Sequence, residues 1–325
     1  MNEKIYQLHT PVALVLSNRT ETLTRVIAAI KEARPKILYC FCDEGQTPAD
    51  KARFAASKAL VEKIDWCEVR TNYATEHMDV KRRLATGLQW IFENEERAII
   101  LEHDCLPNQS FFRFCEELLE RYADDTRVMH IGGNNFQQNN KKFVCRESYY
   151  FSHIPHIWGW ASWRRAWVHY DPDVQHWPEA RKQQLTYNIF SDPAVAYRWE
   201  QRFQDYYEDR IRSWDGQWTF AVLSQGGLCI NPCVNLVTNI GFGQEAVSAK
   251  NPNDPLANIP SESMMFPLKH PNFFVINQQA ERYTSQYVFG IGRTHMQRFK
   301  WFLKWHYPRP YHWLKKLFGR YTSNL

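Results

Sequence analysis

The stretch Ala98-Ile99-Ile100-Leu101-Glu102-His103-Asp104 decides how this chain is read. Four consecutive apolar residues suit a strand covered on both faces, as in a parallel sheet. The run stops at two carboxylates with a histidine between them, which places the acids at the C-terminal end of the strand. In open α/β sheets that edge lines the ligand crevice, because loops rather than helices surround it. Two acids there either meet a divalent metal that carries phosphates, since hard oxygen donors select magnesium or manganese, or they open the next helix through the turn Cys105-Leu106-Pro107.

The flanking sequence alternates strand and helix. Residues 12–16 form an apolar run, followed by Asn18 and Glu21 at capping-box spacing. Leu23, Val26, Ile27 and Ile30 then fall on one helical face. Pro35 ends that helix, residues 36–42 predict a second strand, and Asp43-Glu44-Gly45 turns the chain, so Asp43 shares an edge with Asp104. A helix is expected over 49–63 and a short strand near 67–70. Lys81-Arg82-Arg83 opens another helix, whose Val80, Leu84, Leu88 and Ile91 share a face. Cations at a helix start oppose its dipole, so the triplet either holds an anion or forms a solvated basic turn. Beyond the acids, Phe111, Phe114, Cys115, Leu118, Leu119 and Tyr122 mark an amphipathic helix, and 128–131 a strand closing on Gly132-Gly133-Asn134-Asn135. This order predicts an α/β fold whose first half is Rossmann-like and nucleotide-binding.

The second half is richer in tryptophan. Trp158-Gly159-Trp160, with Trp163 and Trp167 close behind, reads as a wall of an acceptor or sugar pocket. A polar helical region over 178–212 leads to Ser213-Trp214-Asp215-Gly216-Gln217-Trp218. Asp215 there is an N-cap, a general base, or both. Strands follow at 228–230 and within Asn235-Leu236-Val237-Thr238-Asn239-Ile240-Gly241-Phe242-Gly243.

Composition fits a globular chain of 325 residues, 44% hydrophobic and 23% charged, but 15% aromatic, a weak pointer to sugar stacking. No run approaches the ~20 apolar residues of a membrane span, and the polar start lacks the pattern of a secretory signal. The eight cysteines lack zinc-ribbon pairing, and reduced, buried thiols in a cytoplasmic protein are expected. Between 282 and 325 nine Lys or Arg and no Asp or Glu give +9, which leaves −4 for the remainder.

The succession Pro-Val-Ala-Leu-Val-Leu-Ser-Asn-Arg, Asp-Glu-Gly, Arg83 before a Gly-Leu-x-Trp helix, Ile-Leu-Glu-His-Asp-Cys-Leu-Pro, Ile-Gly-Gly-Asn-Asn-Phe, Trp-Gly-Trp, Trp-Asp and Asn-Leu-Val-Thr-Asn-Ile-Gly-Phe-Gly resembles bacterial GT-A glycosyltransferases over residues 10–245. The similar group is the nucleotide-diphospho-sugar transferases related to N-acetylglucosaminyltransferase I. The resemblance implies a metal-dependent, inverting transfer of a hexose or N-acetylhexosamine to a glycan or lipid-linked acceptor, in bacterial surface polysaccharide synthesis. Glu102-His103-Asp104 matches the family's acidic motif, its version of DXD. Asp104 would bind manganese (or magnesium), and Glu102 and His103 would face the donor. His103 departs from the usual middle Asp. Asp43 and Arg83 match donor-binding positions, and Asp215 matches the base. Where relatives often carry Ser-His, this chain reads Ser248-Ala249.

The expected organisation is a single GT-A domain over 1–281, with a nucleotide-sugar-binding half (1–140) and an acceptor half (141–281) whose pocket includes Trp158, Gly159, Trp160 and Trp214. A basic amphipathic tail spans 282–325. Its aromatic and basic residues, broken by Pro308 and Pro310, suit the anionic inner face of the cytoplasmic membrane, or packing on the acidic body. No nucleic-acid partner is expected, since the tail is as apolar as it is basic. The competing classes are a metal-dependent phosphohydrolase and a non-catalytic sugar-binding module.

Overall fold

A computed structural model describes residues 6–243 and 251–291 of the chain. Most of the basic tail and the 247–249 segment lie outside the described residues.

The first half alternates strictly: β1 (Val12–Val15), α1 (Thr20–Ala33), β2 (Ile37–Cys42), α2 (Pro48–Val61), β3 (Glu68–Tyr73), α3 (Val80–Asn94) and β4 (Arg97–Glu102). A short β5 (Cys105–Pro107), α4 (Gln109–Arg121) and β6 (Val128–Gly132) follow. Next come β7 (Tyr149–Ser152), β8 (Trp160–Trp163), the helices α5 (Arg164–Trp167), α6 (Trp177–Lys182), α7 (Leu185–Ile189), α8 (Pro193–Tyr207) and α9 (Asp215–Ser224), then β9 (Leu228–Pro232), β10 (Val237–Asn239) and α10 (Gln278–Tyr283).

Eight strands form one sheet in the order β3-β2-β1-β4-β8-β6-β9-β7. The first four are parallel, as the apolar strands and intervening helices predict. The α/β class expected from the sequence is therefore the class found, with a Rossmann-like half continued by a mixed half. Strand β8 was not expected. It runs antiparallel between β4 and β6, with Ile100 opposite Trp160, so it enters the sheet at the edge where β4 leaves it. Strands β5 and β10 pair antiparallel as a small ribbon below that edge.

Side-chain alternation divides the core. Val12, Leu14, Ile99 and Leu101 face the layer that includes Leu23, Val26, Phe111 and Leu118 of α1 and α4. Ala13, Val15, Ala98 and Ile100 face the layer built from Leu84 and Leu88 of α3 and Trp218 and Val222 of α9. A third apolar cluster joins α6, α7 and α8 to the outer face of α9.

Several local expectations are corrected. Helix α1 starts at Thr20 with Arg19 at its N-cap and no side-chain cap, so Asn18 and Glu21 do not form the capping box. Cys145 and Cys233 are joined as a disulfide, because Cys233 N–H donates to Ser148 C=O and holds their segments together. The other six cysteines are free, and five of them are buried, as expected. Helix α10 covers Gln278–Tyr283. Gln137 Nε2 donates to Thr284 Oγ1 just beyond it, at 2.9 Å. Among the described residues no helix is long and apolar enough to cross a membrane.

Candidate functional site at the strand edge

Period-two alternation sends Glu102 to the same side of the sheet as Ala98 and Ile100. That is the side covered by α9, whose first residue is Asp215. Asp215 consequently reaches Glu102 electrostatically, and so does Asp104. Burial first, then the charges of Asp104 and Asp215, push the Glu102 carboxyl up to about 8. The distant Asp215 thus joins Glu102 and Asp104 at the C-terminal edge of β4.

Asp104 lies beyond the strand end. Its C=O accepts from Ile240 N–H at 2.9 Å, which ties it to the ribbon strand β10. Arg19 Nη1 stands 3.7 Å from Asp104 Oδ2 and donates to Gly241 C=O at 2.8 Å. Arg19 follows β1, and neither its basic charge nor its position marked it in the sequence as part of the site. Gly241 closes the floor: a Cβ there would fall 1.9 Å from Asp104 Oδ2, so a side chain at this position would displace the carboxylate. His103 Nε2 is 3.5 Å from the same oxygen and, though shielded from solvent, has no hydrogen-bond partner among the described residues. Burial, reinforced by Arg19 and opposed by Asp104, lowers the pKa of the imidazole.

Among the described residues Asp104 Oδ1 takes only the Cys105 thiol, at 3.8 Å. Among the described residues no group of three or more His, Cys, Asp or Glu is placed to hold a metal. The donor set fits an ion that keeps most of its shell for water and phosphate oxygens, the habit of magnesium and manganese.

The other expected site residues divide. Trp158 is half-buried, with its ring 5.1 Å from Phe136 and 5.8 Å from Phe242. It therefore stands beside the Gly241 floor. Gly159 takes φ +64 and receives Gly133 N–H at 2.7 Å; its side-chain space is closed by Val237. Trp160 is fully buried and Trp214 nearly so. They stack at 5.6 Å beside Trp167 and Trp218, and Trp160 also stacks on His130 at 5.3 Å. These two are packed in the core, where an acceptor wall was expected: β8 carries Trp160 under α9.

Asp43 lies on the expected edge, but its carboxylate is engaged. Oδ1 accepts from Glu44 and Met78 N–H, each at 2.9 Å, and Oδ2 lies 2.8 Å from His77 Nδ1. It shapes the loop before α3. Arg83 is buried and donates to Cys42 C=O at 2.8 Å, Asn72 Oδ1 at 2.9 Å and Thr86 Oγ1 at 3.1 Å. It clamps the ends of β2 and β3, where a donor-binding cation was expected. Lys81 meets an anion, but a protein one: Asp173 at 3.0 Å and Asp209 at 3.2 Å. Asp215 is the first helical residue, with Trp214 at the N-cap. No side-chain hydrogen bond ties its carboxylate among the described residues, so the cap role is not the one it fills.

The Glu102 shift has a measurable consequence. Between about pH 4.5 and 8 the folded, metal-free protein keeps a proton on Glu102 that the unfolded chain has released. Stability should therefore fall as pH rises through that window and level off above it. Urea unfolding at pH 5 and pH 8.5 in a chelator checks this. Glu102→Gln should flatten the difference, and an unchanged slope would show that another group carries it.

The sequence matches no protein-family profile and no curated protein. Among solved structures, a mannosyltransferase from Pyrobaculum calidifontis in complex with GDP-mannose and Mn2+ is similar over 52% of this chain, at 14% identity and a TM-score of 0.38. The chain spans about half the length of that protein, 49%. A cytidylyltransferase from Leptospira borgpetersenii serovar Hardjo-bovis is similar over 58% of this chain and 74% of its own, at 10% identity and a TM-score of 0.33.

Proposed function

We propose that this chain is a nucleotide-diphospho-sugar glycosyltransferase of the GT-A type, inverting and metal-dependent, related to the N-acetylglucosaminyltransferase I group. The observation that carries the reading is the convergence of Glu102, Asp104 and Asp215 on one strand edge of a Rossmann-like sheet, with Arg19 beside them.

The roles follow from chemistry and placement. Asp215, at the start of α9 and free of side-chain hydrogen bonds, takes the proton from an acceptor hydroxyl as its oxygen attacks the anomeric carbon. Such base catalysis is worth about 10²–10⁴ in rate. Arg19 places a fixed positive charge where the departing diphosphate gathers negative charge. Glu102, at the end of β4 beside Asp104, faces the donor sugar or ribose. Trp158 gives an aromatic face for a sugar ring beside the floor at Gly241. A manganese or magnesium ion held by Asp104 would neutralise charge on the leaving phosphates. The acceptor is a glycan or lipid-linked sugar of the bacterial surface, reached at the cytoplasmic membrane through the basic 282–325 segment.

The test is release of nucleoside diphosphate from a panel of nucleotide sugars with manganese, with and without candidate acceptors. A transferase releases it in an acceptor-dependent manner. Release that ignores the acceptor would make the chain a phosphohydrolase, and binding with no release a sugar-binding module.

Gly241→Ala gives a sharper local check. The added methyl would collide with Asp104, so the carboxylate must move. Affinity for a nucleoside diphosphate with manganese should fall at least about tenfold, since small misplacements at a site of this kind are costly. Calorimetry reads the loss, and circular dichroism should show the fold retained. Unchanged affinity would mean that Asp104 does not work from its present position.

A further inference from the structure

The acidic edge contains one group that the proposed transfer leaves without a task. His103 Nε2 is shielded from solvent and unpartnered. Leaving a buried polar atom without a partner is costly, so a ligand for it is expected. Its nearest charged neighbour is Asp104 Oδ2, 3.5 Å away. That distance is too long for a good hydrogen bond. Neighbouring donors of one octahedral ion, each about 2.1 Å from it, stand about 3.0 Å apart, so a closure of about 0.5 Å would bring this pair onto a shared cation.

We propose that His103 Nε2 is the second protein donor, with Asp104 Oδ2, to the divalent cation of this site, and that its nitrogen biases the site towards manganese over magnesium. The proposal rests on the reading of Asp104 as metal holder and adds a donor to it. An oxygen-only set suits magnesium, whereas imidazole favours transition metals. Arg19, 3.7 Å from Asp104 Oδ2, opposes an incoming cation. Diphosphate brings the compensating negative charge, so ion and diphosphate should bind together.

The experiment uses the full chain, Mn2+ and inorganic pyrophosphate. Pulsed electron paramagnetic resonance of the bound ion should show coupling to an imidazole nitrogen, and 15N-histidine labelling should change its frequency. His103→Asn should abolish the coupling, weaken manganese binding about tenfold or more, and reduce the manganese-over-magnesium preference by a similar factor. Asp104→Asn should weaken binding of both metals.

Manganese that binds, and is lost in Asp104→Asn, but shows no nitrogen coupling in the unaltered chain would overturn the role of His103 and leave the metal reading standing. No manganese binding with pyrophosphate would overturn both. Were His103→Asn to misfold, the labelled unaltered chain still decides, since the coupling is either present or absent there.

Discussion

Asp104→Ala is expected to reduce affinity for a nucleoside diphosphate in manganese by at least about a hundredfold and to remove transfer. Metal stabilisation of phosphate charge is worth several kcal/mol, and each 1.4 kcal/mol is a factor of ten. Without the carboxylate, Arg19 would remain as an uncompensated cation at the place where the metal must sit, which adds repulsion to the lost ligand. The fold should survive. Asp104 lies outside β4, its side chain touches the surface, and its tie to the ribbon is through the backbone C=O. Calorimetry together with urea unfolding separates the two effects. Unchanged affinity would remove Asp104 from the site, and loss of folding would recast it as structural.

Asp215→Asn should leave donor affinity within about twofold and lower turnover by about 10²–10⁴, the range of a lost general base. An amide has nearly the same shape but cannot accept the acceptor's proton. Helix α9 should persist, because Trp214 occupies its N-cap and the core residues Trp218 and Val222 anchor it. The helix would lose only the favourable charge at its first turn, about 0.3–1 kcal/mol. The same substitution also removes one of the charges that raise Glu102, so the pH window of stability should shift downward. Steady-state kinetics, with acceptor saturating, gives the first result. Turnover near that of the unaltered chain would assign Asp215 a purely structural place.

The two substitutions probe different kinds of information. Asp104 was legible because its signal is local: an apolar run that ends in acids at a strand terminus. Asp215 was legible as a residue but not as a partner of Glu102, since its approach depends on which face of the sheet α9 covers. Arg19 closed a motif of the resemblance but was given no role in the site. One arginine after a strand resembles any other until the ribbon strand β10 brings Gly241 C=O and Asp104 around it.

Several charged and aromatic groups are consumed inside the chain. Lys81 and Arg83 sit where their charge suggested an external anion, yet each finds its counterparts within the chain, Lys81 in Asp173 and Asp209, Arg83 in the carbonyls and side chains that close β2 and β3. Trp160 stood in a motif that looked like a pocket wall, but its partners Trp214 and Trp218 arrive from a distant helix and enclose it.

The sequence by itself determined the α/β class, the four parallel strands of the first half, and the position of Glu102-His103-Asp104 at their C-terminal edge. Those features follow from period-two and period-3.6 patterns, and such patterns are written within a few consecutive residues. Only the tertiary structure decided which charged groups stay open to a ligand and which are consumed inside the protein. That depends on pairings such as Trp160 under α9, Arg83 across two strand ends and Gly241 against Asp104. Their energies come from contacts between segments that no local pattern links.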